Sequence, residues 1–536
     1  MLMEGEKTYL GLDFSTQQLK GIIVGEDLNV LLEESVEFDS VLPEFRTHKG
    51  VIHSKDGRTI TTPTIMWVKA MDVLLDKLQV AGADFGKIAA VSGSAQQHGT
   101  VYWQKGSENV LRNLDPTSFL HTQLASSFTI PDSPVWMDSS TSTYCRKLEE
   151  AVGGPEELAK LTGAVAFERF SGPQISKIAE TKKIAYENTE RISLISSFGC
   201  SLLLGRYAPI DLSDGSGMNL LDLQTKDWNS TCLTACAPNL ADKLGKPVPC
   251  GADLGVINEY FVERFAFNAN CRVASFTGDN PASLIGMRLK AGDVAISLGT
   301  SDTVFLWLDK QTVLPECHVS VNPLKSDAFM GLLCFKNGSL TRERFRDTFA
   351  NRSWDEFNSI LERTPRGNFG NVGYFFDVQE ILPWAQGEYR FDKADNVISK
   401  FPSIEIELRA LIEGQFIAKR SHAEDLGVAI GPNSKILATG GASKNKVILQ
   451  ILSDVFNRPV YVLEGANSSV LGASYLAKYA LRNDSEEPDP VAYFDRITSN
   501  VNAATLVCTP YGDADQIYTP MVTRYKRFIS DVLNKT

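Results

Sequence analysis

The residues of this chain best suited to chemistry lie where apolar runs break off into small polar residues. The apolar run Cys271 to Phe276 stops in Thr277-Gly278-Asp279-Asn280-Pro281-Ala282-Ser283. A strand ending there leaves Asp279 and Asn280 at its tip; Gly278 permits a tight backbone and Pro281 stiffens the exit. A carboxylate so placed can take a proton from a hydroxyl. Further on, Asp293 to Leu298 turns at Gly299-Thr300-Ser301-Asp302 and returns as Thr303 to Leu308. That turn offers backbone N–H groups and two hydroxyls with little bulk, which suits a cluster of anionic oxygens.

The elements that must position these residues repeat along the chain. Tyr9 to Leu12 reads as a strand ending in Asp13-Phe14-Ser15-Thr16-Gln17-Gln18, with Leu19 to Val24 returning and Asn29 to Phe38 as a third strand. Thr62-Pro63 predicts a helix start with Thr62 as its cap, followed by apolar residues at helical spacing and a stop at Gly82. Lys87 to Gly93 is a buried strand leading into Gln96-Gln97-His98-Gly99. Late in the chain the order recurs. A helix carrying Ile404, Leu408, Leu411, Ile412 and Phe416 precedes the strand Lys435 to Thr439, the loop Gly440-Gly441-Ala442-Ser443-Lys444-Asn445, and the helix Lys446 to Phe456. Each half thus carries a hairpin with a polar turn, a helix, and a strand ending in a small polar loop. This is an internal duplication of α/β units. Between the halves, Pro134 to Asp138 reads as a buried strand, Ser142 to Val152 as a helix, Ile192 to Leu204 as one long apolar helix, and Asp211 to Gly217 as a loop. Asp347 to Phe401 has weak periodicity and reads as loops, and Pro520 to Leu533 as the last helix.

Composition narrows the function. The 536 residues, 43% apolar and 22% charged, are too many for one core and describe an ordinary globular chain of two or more domains. A net charge of −12 argues against nucleic acid or an anionic membrane surface as partner. Nine cysteines without a paired framework suit a reducing compartment, and the Cys232, Cys236, Cys250 spacing lacks the partners of a zinc site. The first residues lack a signal-peptide pattern, Asn534-Lys535-Thr536 is no peroxisomal address, and no apolar run reaches membrane-spanning length. A cytoplasmic protein is expected, with small-molecule partners and as a monomer or homodimer.

No GxxxxGK[ST], GxGxxG after a strand, HExxH or protein-kinase signature is present. A nucleotide would therefore have to be held by the loops Asp13 to Gln18, Gly299 to Ser301 and Gly440 to Asn445, as in an actin-like clamp. These stretches resemble, in order, the motifs of the FGGY carbohydrate kinases. Asp13-Phe14-Ser15-Thr16 is similar to their first phosphate loop, Thr277-Gly278-Asp279-Asn280-Pro281-Ala282 to their catalytic-aspartate segment, Ser297-Leu298-Gly299-Thr300-Ser301 to their second phosphate loop, and Ala438 to Asn445 to their adenosine loop. The resemblance covers roughly residues 9 to 480. It departs at Gln97, where many bacterial members carry methionine, at Phe14-Ser15, and after Lys177, where a common tryptophan is missing.

The resemblance implies an α/β fold of two actin-like (ribonuclease H-like) domains facing across a nucleotide and sugar cleft. It divides the chain into 1–287, with the sugar site, first phosphate loop and catalytic aspartate, and 288–536, with the second phosphate and adenosine loops. It further implies an ATP- and Mg²⁺-dependent kinase acting on the terminal hydroxyl of a ketopentose, D-xylulose first, with ribulose, another ketose or glycerol as alternatives. A non-catalytic, nucleotide-gated sugar sensor is the alternative from another class. By resemblance Asp279 is the general base. His98, Arg169, Asp279 and Asn280 hold the sugar, and Asp13 orients Mg²⁺ through water. Ser15, Thr16, Gly299, Thr300 and Ser301 hold phosphate oxygens, while Trp354, Gly440, Gly441 and Asn445 hold the adenosine.

Overall fold

The computed structural model describes residues 6–533 apart from 315, 464–466, 484 and 502–503. The C-terminal tripeptide lies outside the described residues. By internal contacts the chain divides into two compact units: Met1–Arg288 with Val319–Phe329 and Asn467–Asn502, and Leu289–His318 with Met330–Ala466 and Ala503–Thr536.

The first unit is built on a sheet of strands β1 (Thr8–Phe14), β2 (Gln18–Val24), β3 (Val30–Glu37), β4 (Ile88–Ala95), β5 (Asp253–Val256) and β6 (Arg272–Ala274), ordered β5-β6-β4-β1-β2-β3, with the short β7 (Thr277–Gly278) also pairing with β4. β1, β2 and β3 form an antiparallel meander, and β4 lies parallel to β1, β6 and β7. Helix α1 (Thr64–Val80) packs on β2 and β3; α2 (Ile195–Leu204) and the helix Ser468–Tyr479 pack on β4. β1 and β4 are buried along nearly their whole length, as expected of strands covered by helices. At Gly11 an added Cβ would meet Val470 O at 2.6 Å, so β1 needs glycine where the helix Ser468–Tyr479 crosses it. The short helix α3 (Leu212–Gly215) and α4 (Asp279–Gly286) complete the parts that matter for the site.

The second unit repeats the layout. Its strands β8 (Val294–Leu298), β9 (Asp302–Leu308), β10 (Phe329–Phe335), β11 (Ile436–Thr439), β12 (Val460–Val462) and β13 (Thr505–Cys508) run in the order β10-β9-β8-β11-β12-β13. β8 and β9 form the antiparallel hairpin, and β11 lies parallel to β8, as β4 does to β1. Helices α5 (Ser339–Phe349), α6 (Trp354–Glu362), α7 (Ile404–Asp425) and α8 (Lys446–Phe456) pack around it.

Several local expectations change. Thr62 is not a helix cap: it lies within a strand, Ile60–Pro63, and its hydroxyl donates to Gly50 O (3.0 Å). The apolar stretch Ile192 to Leu204 is a strand, Thr189–Leu194, running directly into α2; apolar content alone does not tell a buried strand from a buried helix. Pro134 ends a three-residue strand, and Trp136 beyond it is 38% exposed. Asp347 to Phe401 holds α6 and a hairpin of Val372–Phe376 with Gly387–Phe391. Asp211 to Gly217 is buried and helical, with Asp211 capping α3 by accepting from Asp214 N (2.9 Å). The last helix begins earlier, at Ala514, with Pro520 inside it.

Candidate active site

Register brings the first unit's polar residues to one end of its sheet. β1 pairs Asp13 with Ser94 of β4, and β7 pairs Thr277 with the same Ser94. The residues that follow each strand therefore emerge side by side: Ser15 and Thr16, then Gln96 to His98, then Asp279 and Asn280. Ligands of parallel α/β sheets gather at such carboxyl ends.

Asp13 is buried and its carboxylate accepts three hydroxyls: Ser94 (2.7 Å), Ser15 (2.5 Å) and Ser469 (3.1 Å). A carboxylate ringed by hydroxyls is an all-oxygen set, which fits a hydrated dication. The Ser15 hydroxyl is thereby committed to Asp13. The Thr16 hydroxyl accepts from Trp136 Nε1 (2.9 Å), a neighbour that sequence reading placed inside a buried strand.

Asp279 opens α4, with its Oδ1 accepting from Asn280 N (2.9 Å). Burial, then the nearby carboxylates of Asp13 and Asp214, push its carboxyl up to about 8. An acid poised near neutral pH is suited to proton transfer. Asn280 Nδ2 donates to Gln97 Oε1 (2.8 Å), and Gln97 Nε2 donates to Asp214 Oδ1 (3.2 Å). Asp214 Oδ2 accepts the Ser196 hydroxyl (2.5 Å). His98 sits at φ +72°, and its Nδ1 donates to Gly217 O (2.8 Å), so that nitrogen carries a proton. Its ring stacks on Phe170 at 4.4 Å, and Ser171 Oγ donates to its carbonyl (2.8 Å). Arg169, beside Phe170, is half-buried and lies over the Phe167 ring (5.4 Å). Asp13, His98, Asp279 and Asn280 thus lie at neighbouring strand ends, whereas Arg169 is placed only as the chain neighbour of Phe170, which stacks on His98.

In the second unit a cavity of about 660 Å³ is lined by Gly299, Thr300, Trp354, Gly441, Lys444 and Asn445, among others. That volume suits a nucleoside-sized ligand. Ser301 and Gly440 lie next in chain to this lining. Gly440 has φ +83°, and an added Cβ would meet Leu298 O at 2.6 Å, whereas a Cβ at Gly441 would meet open space. Trp354 opens α6 with the Arg346 guanidinium 4.8 Å over its ring. Asn445 caps α8, accepting from Val447 N (3.1 Å) and Ile448 N (3.2 Å), and its Nδ2 donates to Asn358 (2.8 Å), so its amide shapes the cavity wall. Behind the Gly299–Ser301 turn, Asp302 is fully buried, forked to Arg342 (2.8 and 2.9 Å) and paired with Lys419 (2.9 Å). Burial opposes its charge, but Lys419 and Arg342 hold its carboxyl below the ordinary value.

Sequence reading missed Asp214, Ser196 and Asp302. The signal for Asp214 was present in Asp211-Leu212-Ser213-Asp214, an acid at a helix cap with a second acid at the third helical position. The Gly and Ser residues around it suggested a loop instead.

Two domain families cover this architecture: the N-terminal domain of the FGGY family of carbohydrate kinases matches residues 130–286, and its C-terminal domain matches residues 294–481. The chain belongs to the FGGY family of carbohydrate kinases and has its two-domain fold. Among curated relatives, xylulose kinase of Rattus norvegicus is 50% identical over 531 residues, covering 99% of this chain and 98% of the relative. Xylulose kinase 2 of Arabidopsis thaliana is 46% identical over 491 residues, 88% of this chain and 87% of the relative. Among solved structures, xylulose kinase from Rhodospirillum rubrum superposes with a TM-score of 0.80 at 14% identity, covering 98% of this chain and 99% of that one. Among the described residues no helix is long and apolar enough to cross a membrane.

Proposed function

We propose that this carbohydrate kinase transfers the γ-phosphoryl group of ATP to the 5-hydroxyl of D-xylulose, giving D-xylulose 5-phosphate and ADP. The observation that carries the reading is Asp279. It is a carboxyl raised to about 8 at the first position of α4, with Asn280 and the Gln97–His98 segment beside it. The identity to curated xylulose kinases over nearly the whole chain supports the choice of ketose.

When bound with Mg²⁺, ATP supplies the phosphoryl group and the cation that balances its charge. Asp279 takes the proton of the 5-hydroxyl as that oxygen bonds to the γ-phosphorus and the bond to ADP breaks. His98, Arg169 and Asn280 orient the other hydroxyls, so the reacting one is held in line. Asp13, with its three hydroxyl donors, orients the water shell of the cation. The Gly299–Ser301 turn and the first turn at Ser15 and Thr16 receive phosphate oxygens. The cavity lined by Trp354 and Gly441 receives the adenosine, with Gly440 letting the loop approach it. In this reading residues 1–287 carry the acceptor site and the first phosphate loop, and residues 288–536 the second phosphate and adenosine loops. The cysteines carry no paired framework in the sequence, which supports a reducing, cytoplasmic setting.

The test is ADP release measured across D-xylulose, D-ribulose, D-fructose and glycerol, with the product position read by ³¹P NMR. D-Xylulose is expected to exceed D-ribulose by at least about tenfold in kcat/KM, since one stranded buried hydrogen-bonding group costs ~1–3 kcal/mol. Preference for ribulose or glycerol refutes the ketose assignment. ATP binding without turnover on any of them favours the sensor.

A further inference from the structure

Asp214 is a buried carboxylate, 1% exposed, outside the residues assigned to the reaction above. We propose that Asp214 is a positioning residue: through Gln97 it fixes the orientation of the Asn280 side-chain amide, so that its carbonyl oxygen is set to accept from a sugar hydroxyl. The proposal rests on Asn280 being a sugar contact, as in the function proposed above.

The argument is one of hydrogen-bond polarity. An ionised carboxylate can only accept. Its two oxygens take the Ser196 hydroxyl (2.5 Å) and the Gln97 amide nitrogen (3.2 Å). With its NH₂ end turned to Asp214, Gln97 must turn its carbonyl the other way, and that carbonyl accepts from Asn280 Nδ2 (2.8 Å). A flipped Gln97 would set two acceptors against each other in a buried place, where an unmade bond is costly. The bond to Gln97 uses one of the two Nδ2 hydrogens and fixes the turn of the Asn280 amide, so its carbonyl oxygen is presented as an acceptor in a set direction. The chain of bonds therefore runs from a sugar hydroxyl to Asn280, to Gln97, to Asp214.

The backbone makes room for this relay. A Cβ at Gly278 would meet Gln97 Cγ at 2.5 Å and Asp214 Oδ1 at 2.7 Å, so glycine just before the base lets the relay pass behind α4. A Cβ at Gly217 would meet the His98 ring at 3.0 Å and Gln97 Nε2 at 3.5 Å, so the relay and the His98 ring share one packed block. Burial pushes up both Asp214 and its neighbour Asp211, and the charge of Asp214 adds to the rise at Asp211.

The experiment compares wild type, Asp214→Asn, Gln97→Glu and the double variant at pH 7.5. Calorimetry reads D-xylulose and ATP binding separately, and a melting curve is recorded for each protein. Asp214→Asn frees Gln97 to flip, and Gln97→Glu sets two carboxylates together; each is expected to weaken D-xylulose by about 10- to 100-fold, with ATP binding within about twofold of wild type. The double variant moves the single carboxylate to position 97, where it accepts from the amide introduced at position 214 and from Asn280, and is expected to recover D-xylulose binding to within about fivefold of wild type. An Asp214→Asn protein that binds D-xylulose like wild type, or a double variant no better than the weaker single, overturns the relay. Should Asp214→Asn fail to fold, Gln97→Met breaks the relay while keeping the carboxylate, and unchanged D-xylulose binding in that variant overturns the proposal equally. Wild type that takes no D-xylulose refutes the functional reading and the relay with it. Wild type that binds D-xylulose beside an unaffected Asp214→Asn refutes the relay alone.

Discussion

Asp279→Asn is expected to make the protein more stable and nearly inactive at once. A carboxyl that ordinarily titrates near 3.8 and is pushed to about 8 in the folded chain binds its proton more tightly folded than unfolded. Between those two values the native state holds more protons, so stability falls as pH rises, and the penalty is complete only above about 8. At pH 7 the upper bound is about 4 kcal/mol, from ~1.36 kcal/mol for each pH unit above 3.8. The side chain is half-buried, so solvent screening reduces this to roughly 1–3 kcal/mol. Asparagine keeps the shape and removes the charge. In buffer free of ligands and Mg²⁺, a unit of about 335 residues should gain about 1.5–4.5 °C in Tm, at ~2 cal/mol/K of unfolding entropy per residue. The gain over wild type should grow from pH 5 to 8 and level off above. Turnover with D-xylulose and ATP should fall by about 10²–10⁴-fold, the range for removing a positioned base. Calorimetric scans at pH 5, 7 and 9 with a coupled ADP assay measure both. A variant that melts at or below wild type at pH 9, or one that turns over within tenfold of it, refutes the reasoning.

Other outcomes follow from other parts of the molecule. Gly440→Ala, forced to φ +83° with its Cβ against Leu298 O, should weaken ATP by about tenfold or more while D-xylulose binding in calorimetry stays unchanged. His98→Ala should narrow the kcat/KM gap between D-xylulose and D-ribulose, measured side by side; equal losses on both ketoses would deny His98 a role in discrimination. Asp302→Asn leaves buried Arg342 and Lys419 without their anion and should cost the second unit about 3–5 kcal/mol in denaturant unfolding; a loss below ~1 kcal/mol would mean the pair is not held as described.

Much of the site was legible because its residues sit at the ends of apolar runs, and such ends show in one dimension. Asp13 lies at the end of the largely apolar β1, His98 shortly after β4, and Asp279 after the apolar run Cys271 to Phe276, and the hairpin that recurs in each half marks the duplication. The helices α7 and α8 could be read from their periodic faces. Reading failed where apolar residues are continuous. Leu194 and Ile195 belong to a strand and a helix without any break in hydropathy, and burial on all sides erases the period that would separate them. It failed also at Asp211 to Gly217, where small polar residues suggested a loop although every one is buried.

The sequence by itself determined which residues can do chemistry here and which of them terminate strands, because residue type and hydropathy pattern are local properties. Only the tertiary structure decided their partners. Gln97 is 183 positions from Asn280 and 117 from Asp214, and Asp13 is 456 from Ser469. Those pairs exist because parallel strands distant in the chain end at the same edge of one sheet and because a late helix returns to the first unit. A carboxyl's affinity for its proton is likewise a property of burial and neighbouring charge, so the poise of Asp279 arises from the folded surroundings and from nothing that its own segment encodes.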